Sequence, residues 1–555
     1  MTIADGMRDR WHSIVNEKKT KFFINLSTKE GFTLKSKDLF RLLIAVCFIL
    51  VLAEWPSVPA WGAPSGELRI GLNTLYTETF HPYRALPARK VYLDTMYDYL
   101  VGFDEKMNLD PKSGVAYKWE EAPDHLSWTY YIRDGVKFHD GSPVTLEDVK
   151  YSIETILDEK NVIGPPNFKP YLKQVDIVQP NKIVVHLKLP WIFMPYMVSP
   201  MAEGQCVILP KKYIESKGIP YFENHPIGTG PYKFMEKREG DFIKFVAQDS
   251  HWRVGKPKYK HLTFKLMPEE GTRDAALRAG EVDIIQTSVA RAAKQEADGF
   301  PIREKTGHAD INLVFLRLYQ PDNPLSKKEV REALVYAIDK ASILKHVLMG
   351  RGKLIGHTAY MFTTSLSRKD YPVTPYDPQK AKQLLAQAGY PNGFTIYLYS
   401  FETGLSEQKL INETIAGYWK AIGMDAKVLE MDYAAYRPIW LKQKEPAGPA
   451  AHTFVWPCKV AGSWAFLFGA DTKTFQFSQV QDPELDASVK KADNATTINA
   501  NIEAERRSEE IVLSNFYNTG IAGIGVLFAT RKDVPNWDLG RASYSFNFEY
   551  VGATK

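Results

Sequence analysis

Two short clusters hold residue types that could do chemistry. His308-Ala-Asp310 sets an imidazole two positions from a carboxylate, which could form part of a metal site. Gly350-Arg-Gly-Lys353 sets glycines beside a lysine, the ingredients of a phosphate loop. Neither cluster completes its pattern. Two metal ligands without partners do not make a site. The glycine–lysine run lacks nucleotide-loop spacing and fits the end of a helix better. The chain has no H-E-x-x-H, no G-x-S-x-G and no C-x-x-C. Carboxylates are plentiful, but no pair is marked as an acid–base couple. Binding is therefore a simpler reading than catalysis, and no catalytic residue, metal or cofactor is expected.

The elements that must position a binding site follow from pattern. A chain of 555 residues exceeds one hydrophobic core, since domains run to ~250 residues. Residues 67–72 alternate as a strand, and residues 182–189 and 242–247 look like further strands. Asp134-Gly135, between β-rich runs in 127–140, signals a hairpin. Thr145-Leu-Glu-Asp148 and Ser326-Lys-Lys-Glu329 are spaced as capping boxes, and each precedes a helical pattern. The second of these patterns could stop at Gly350. Asp377-Pro378 opens a further helix that ends at Gly389. Residues 394–400, 406–422 and 425–430 read strand, helix, strand, which predicts a parallel pairing. The fold class is thus α/β, with a mixed middle and an α/β region over 326–519.

Composition narrows the partners. The formal charge of +5 is not spread over the chain: residues 1–62 hold nine Lys/Arg against six Asp/Glu. The remaining surplus of two predicts no basic face for nucleic acid or an anionic membrane. Aromatics are rich at 13%, which suits both large cores and ligand clefts. Leu42 to Ala53 form a twelve-residue apolar run after Lys35, Lys37 and Arg41, with small residues following at 58–62. That is the pattern of a signal peptide, because a spanning helix needs about 18 apolar residues. Residues 1–62 are expected to be a leader, cleaved near 60–63. The exported compartment would permit a disulfide between Cys206 and Cys458.

The motifs occur in a familiar order. Ala116-Tyr-Lys-Trp119, Trp128 through Gly141, His225-Pro-Ile-Gly-Thr-Gly-Pro-Tyr232, Arg278-Ala-Gly-Glu-Val-Asp283 and Val330 through Lys340 are spread over much of the chain. With these motifs the chain resembles the family 5 extracellular solute-binding proteins. The resemblance implies a two-lobed periplasmic-binding-protein fold with an extra subdomain, mixed sheets and a discontinuous first lobe. Lobe I would be 63–315 plus 520–555, with a subdomain inserted at about 111–224; lobe II would be 316–519. The implied function is capture of a small-molecule or peptide ligand between closing lobes, for delivery to the permease of an ABC importer. The protein would be periplasmic and monomeric, without a nucleic-acid partner. An exported enzyme, a chaperone or a sensory receptor on the same scaffold are the alternatives.

The resemblance also suggests site residues. In peptide-binding members a Trp lines the cleft, and an Asp three residues on pairs with the peptide's amino terminus. Trp456 fits the Trp, while Lys459 stands in place of the Asp. A lysine repels an ammonium and favours a carboxylate or another anion. Trp464 is a second wall. His81, Tyr97, Met361 and Phe362 lie in stretches that approach the cleft in relatives. His81 could instead hold a turn, and the others could be core.

Overall fold

The computed structural model describes residues 63–75, 78–82, 90–104, 108–155, 171–200, 206–356, 371–401, 407–431, 433–456, 471, 479–540 and 545–554, without the side chains of 90, 306–309, 401, 433–434 and 456. Among the described residues no helix is long and apolar enough to cross a membrane. The apolar run at 42–53 and Cys458 fall outside them.

Alternating apolar residues give the strands of one large mixed sheet. They are β1 (Glu67–Leu72), β2 (Tyr232–Arg238), β3 (Phe242–Ala247), β4 (His261–Leu266), β5 (Ile284–Thr287), β6 (Ile302–Phe315), β7 (Lys353–Leu354), β8 (Thr395–Phe401), β9 (Asp425–Met431), β10 (Ala450–Trp456) and β11 (Asn518–Thr530). Their order is β9-β8-β10-β6-β11-β5-β1-β4-β3-β2, with β7 added on β11. In β1, Leu68, Ile70 and Leu72 are buried, as the alternation predicts. β8 and β9 pair in parallel, from Thr395 with Asp425 to Phe401 with Met431. The helix Gln408–Ala421 joins them, and its buried Ile411, Ile415 and Trp419 occupy one face.

β6 and β11 hold the sheet together. They run antiparallel from Ile302–Ala529 to Val314–Asn518, and their pairing is interrupted between Lys305 and Ala309. On one side of this break the sheet continues through β5, β1 and β4. On the other it continues through β10, β8 and β9. The break re-aims the strand at that point, as bulges do. A separate antiparallel sheet of four strands comprises Ala116–Glu121, Ser127–Ile132, Leu172–Val178 and Lys182–Leu187.

Local signals are realised unevenly. Thr145 and Asp148 form a reciprocal cap: the Thr145 N–H donates to the Asp148 carboxylate at 2.8 Å, and the Asp148 N–H donates to Thr145 Oγ1 at 3.3 Å. Asp377 caps the helix Pro378–Gln387 by accepting from the Lys380 N–H. The hairpin expected at Asp134-Gly135 does not form. Ser127–Ile132 instead pairs with Ala116–Glu121 and Lys182–Leu187, while Val136 and Phe138 are spent on the core. Both edges of that strand are taken by partners from elsewhere in the chain. Nor does Ser326 cap its helix. It lies in a short 3-10 turn capped by Asn323, and the helix Lys328–Tyr336 starts after it. That helix also ends well before Gly350, because Asp339 accepts from the Ser342 N–H and starts a new turn.

Candidate functional site

The registers place five strand ends around one point. β1 and β5 are parallel, with Ile70 beside Ile284, so Leu72 and Thr287 end at one level. Thr287 faces Leu527, which also faces Glu304 just before the break in β6. From the other side, β8, β9 and β10 run in parallel toward the same break, and Trp456 at the end of β10 faces Asp310. Carboxyl ends of parallel strands at such a switch point are where α/β sheets build ligand sites, since the connecting loops diverge there and leave a crevice.

Polar and charged groups gather at this crossing, some of them buried. Lys305 is buried; its Nζ donates to the Ser545 carbonyl and lies 4.8 Å from the Phe546 ring centre. Glu304 and Glu296 both meet Arg351, at 3.4 and 2.7 Å. Glu407 accepts from the Val289 N–H at 2.9 Å, at the amino end of the helix Val289–Ala297. Burial raises the pKa of the Glu407 carboxyl above its ordinary value. Gln408 donates to the Thr453 carbonyl, and the Thr453 hydroxyl donates to Asn412 at 2.6 Å. Behind β10, burial lowers the His452 imidazole to about 3, so it stays neutral beside the Tyr436 hydroxyl.

Farther along β11 from the break lies Lys340. Its Nζ donates to Thr519 Oγ1 on β11 at 2.8 Å, and burial lowers its pKa to about 7. Between about pH 7 and the ordinary lysine value of 10.5, the unfolded chain holds a proton that the folded chain has lost. Stability should therefore rise with pH across that window. Lys340→Met should flatten the rise; melting temperatures of both proteins from pH 7 to 10 measure it.

The expected site residues are placed as follows. Trp456 ends β10 opposite Asp310. Lys459, Trp464, Met361 and Phe362 lie outside the described residues, as does the side chain of His308. His81 is buried, with its ring edge-on to Phe222 at 6.0 Å. Its N–H and that of Phe80 donate to the Glu223 carboxylate at 3.3 and 2.8 Å, so Glu223 fixes this turn. Tyr97 is buried and donates to the Phe80 carbonyl at 2.8 Å.

Tyr97 also explains the motif at 225–232. A Cβ on Gly228 would lie 2.0 Å from the Met96 carbonyl oxygen and 2.8 Å from the Tyr97 ring. The Gly228 N–H donates to His139 Nδ1 at 3.1 Å, which fits an imidazole that burial lowers to about 4. This motif therefore packs one loop against another. Gly228→Ala should destabilise by ~1–3 kcal/mol or more, because backbone must move; urea denaturation measures it.

Glu407 and Lys305 are not singled out by sequence reasoning. Glu407 could be suspected as the residue preceding a helical run, but its partner Val289 is 118 positions away. A cavity of about 550 Å³ also lies against Tyr97, Arg253, Trp537, Glu549 and Tyr550. Arg253 follows β3, whose carboxyl end lies beside the amino end of β4. Arg253 is therefore on the opposite edge of the sheet from the crossing.

Comparison with known proteins agrees with this architecture. The pattern of the bacterial extracellular solute-binding proteins, family 5 Middle, matches residues 110–474. Heme-binding protein A of Haemophilus influenzae is 29% identical over 368 residues, covering 62% of this chain and 66% of the relative, just under two thirds of its length. Glutathione-binding protein GsiB of Pectobacterium atrosepticum is 29% identical over 391 residues, covering 69% and 72%. The structure of NikZ from Campylobacter jejuni in complex with Ni(L-His) superposes with a TM-score of 0.73 at 22% identity, covering 88% of this chain and 98% of that one. The oligopeptide-binding protein AppA of Bacillus subtilis, in complex with a nonapeptide, gives 0.71 at 21% identity, covering 89% and 100%. The mixed α/β architecture and the matched span together establish that the chain belongs to the family 5 bacterial extracellular solute-binding proteins and is a solute-binding receptor of the ABC-importer type.

Proposed function

We propose that this protein, after loss of its leader near residues 60–63, captures an anionic or peptide-like solute outside the cytoplasm and delivers it to an importer permease. It acts by transport and not by turnover. Lobe I (63–315 with 520–555) and lobe II (316–519) would close on the solute where β6 crosses β11. The observation that carries this reading is the meeting of strand carboxyl ends at the break between Lys305 and Ala309. Among the described residues only two strands of the sheet, β6 and β11, pass through that point, which suits a hinge.

Two features support an anionic solute. Lys459 occupies the position where peptide binders carry an acid. The relatives named for heme and for glutathione take ligands that carry carboxylates. Trp456 and Trp464 would supply flat apolar walls, with His81, Tyr97, Met361 and Phe362 behind or beside them.

Native mass spectrometry of the exported protein tests the reading. A bound small-molecule mass is expected, and Trp456→Ala should lose it, since a buried aromatic anchor commonly carries about 2 kcal/mol or more of binding energy, or ~30-fold in affinity. Absence of any bound mass, together with X-ray scattering unchanged by a broad solute panel, would overturn it.

A further inference from the structure

Closed lobes have to be held by contacts that form only when the lobes meet. Two carboxylates of lobe II make such contacts with lobe I. Glu407 is buried at the start of the helix Gln408–Ala421, yet its side chain gives that helix no cap. It accepts instead from the Val289 N–H at 2.9 Å, on the helix Val289–Ala297 of lobe I. That helix has its own cap in Ser288, whose hydroxyl accepts from the Arg291 N–H at 3.3 Å. Glu270 takes the Ser288 N–H at 2.7 Å and pairs with Arg291 at 3.2 Å. Glu407 therefore adds a second carboxylate to this helix end, where the helix dipole favours negative charge. The strands that launch the two helices, β5 and β8, are four places apart in the sheet, or ~19 Å at ~4.8 Å per strand. The Glu407 bond thus spans the crevice.

Asp493 makes the second contact. It ends the helix Pro483–Asp493 of lobe II, and its carboxylate interacts with the Tyr171 hydroxyl of the inserted subdomain. The Tyr171 ring is held in place by stacking on Trp191, with ring centres 4.4 Å apart. Glu505, on the helix Ile498–Ser514, lies near the same hydroxyl. Arg351 also bridges the lobes, to Glu296 and Glu304. It stands two residues from Lys353, which pairs with Gly523 at the crossing itself. Atoms that close to a hinge move least when the lobes part.

We propose that Glu407 and Asp493 are the latch of the receptor: positioning residues that hold lobe II shut on lobe I without touching the solute, Glu407 through the Val289 N–H and Asp493 through the Tyr171 hydroxyl. This rests on the receptor reading above and deepens it, by naming what sets the balance between open and closed lobes. Opening would return both carboxyls to water. Burial raises Glu407 above its ordinary value; the Val289 N–H opposes the rise and Glu270 adds to it. Burial raises Asp493 from 3.8 to about 7, and the Tyr171 hydroxyl opposes. The closed form therefore holds protons that the open form releases. Its advantage is full below the ordinary carboxyl value and is lost as pH rises through about 7.

Spin-label distances test the latch. Labels go on Glu239→Cys in lobe I and Lys420→Cys in lobe II, both exposed positions, in a Cys458→Ser background; Cys206 is buried. Without added solute, the ratio of short to long distances should fall about threefold or more from pH 5.5 to pH 8. Glu407→Ala and Asp493→Ala should each lower that ratio about threefold at pH 5.5, the loss of one hydrogen bond. Glu407→Gln and Asp493→Asn keep an acceptor without a titrating proton. Together they should hold the ratio at pH 8 near its pH 5.5 value, a rescue that a merely structural role would not give. Cooperative thermal unfolding shows that each variant is folded. Ratios in both alanine variants equal to the wild type at both pH values would overturn the latch and leave the receptor reading standing. One unchanging distance in every sample, with copurified solute and after its removal, would sink both.

Discussion

Arg253→Met should destabilise the protein by ~3–5 kcal/mol, because it strips the cation from a buried charge cluster. Arg253 Nε donates to Asp98 Oδ1 at 2.8 Å, and its Nη1 reaches the Tyr550 hydroxyl at 2.6 Å and Glu549 at 3.4 Å. Asp98 is almost wholly buried and also meets His251 Nε2 and the Trp252 indole N–H, each at 3.1 Å. Burial alone would raise the Asp98 pKa; His251 and Arg253 outweigh it and hold the carboxyl well below its ordinary value. Glu549 goes the other way. Burial raises it to about 7, Arg253 opposes, and Asp94 adds to the rise.

These shifts give the pH dependence its sign. The Asp98 contribution is present above its ordinary value of 3.8 and is lost as pH falls toward its depressed folded value. Glu549 contributes the opposite slope: between about 4.5 and about 7 the folded chain holds a proton that the unfolded chain has lost, so stability falls as pH rises. Without Arg253 the ionised Glu549 has lost its cation, so the penalty should be larger at pH 8 than at pH 6. Urea denaturation of both proteins at the two values decides it. A loss under ~1 kcal/mol at both would show that the cluster is not a stabilising unit.

Lys459→Asp should weaken the native solute by ~2–5 kcal/mol, which is about thirtyfold or more. An anion in a closed cleft has little water around it, so exchanging a cation for a carboxylate both removes a partner and adds a repulsion. The same change should improve binding of unmodified dipeptides, whose free ammonium a lysine facing the cleft would repel. Calorimetry with alanyl-alanine and with the copurifying solute measures both directions. Tight binding of the unmodified dipeptide by the wild-type protein would end the anion reading.

Some of this is legible in the sequence, and the rest is set at long range. Local alternation locates β1, β3, β8 and β9, and spacing locates the helix that joins β8 to β9. The cap at Thr145 and Asp148 is readable because both partners lie within one turn. Asp134-Gly135 reads as a hairpin and does not form one, because strand pairing depends on which edges are open. Those edges are filled by Ala116–Glu121 and Lys182–Leu187. Ser326 falls short as a cap because Asn323, three residues earlier, already holds the turn.

His308-Ala-Asp310 and Gly350-Arg-Gly-Lys353 show the same division most clearly. Local residue order is enough to show that neither run completes a metal or nucleotide pattern, and motifs spread along the chain point to the family. That Asp310 and Lys353 pair with Gly523 from its two neighbouring strands emerges from long-range strand pairing. That outcome depends on the registers of β6, β7 and β11, which join residues about 170 and 210 positions apart. Register is set by which faces are buried and where bulges fall, and no local run of residues contains that information.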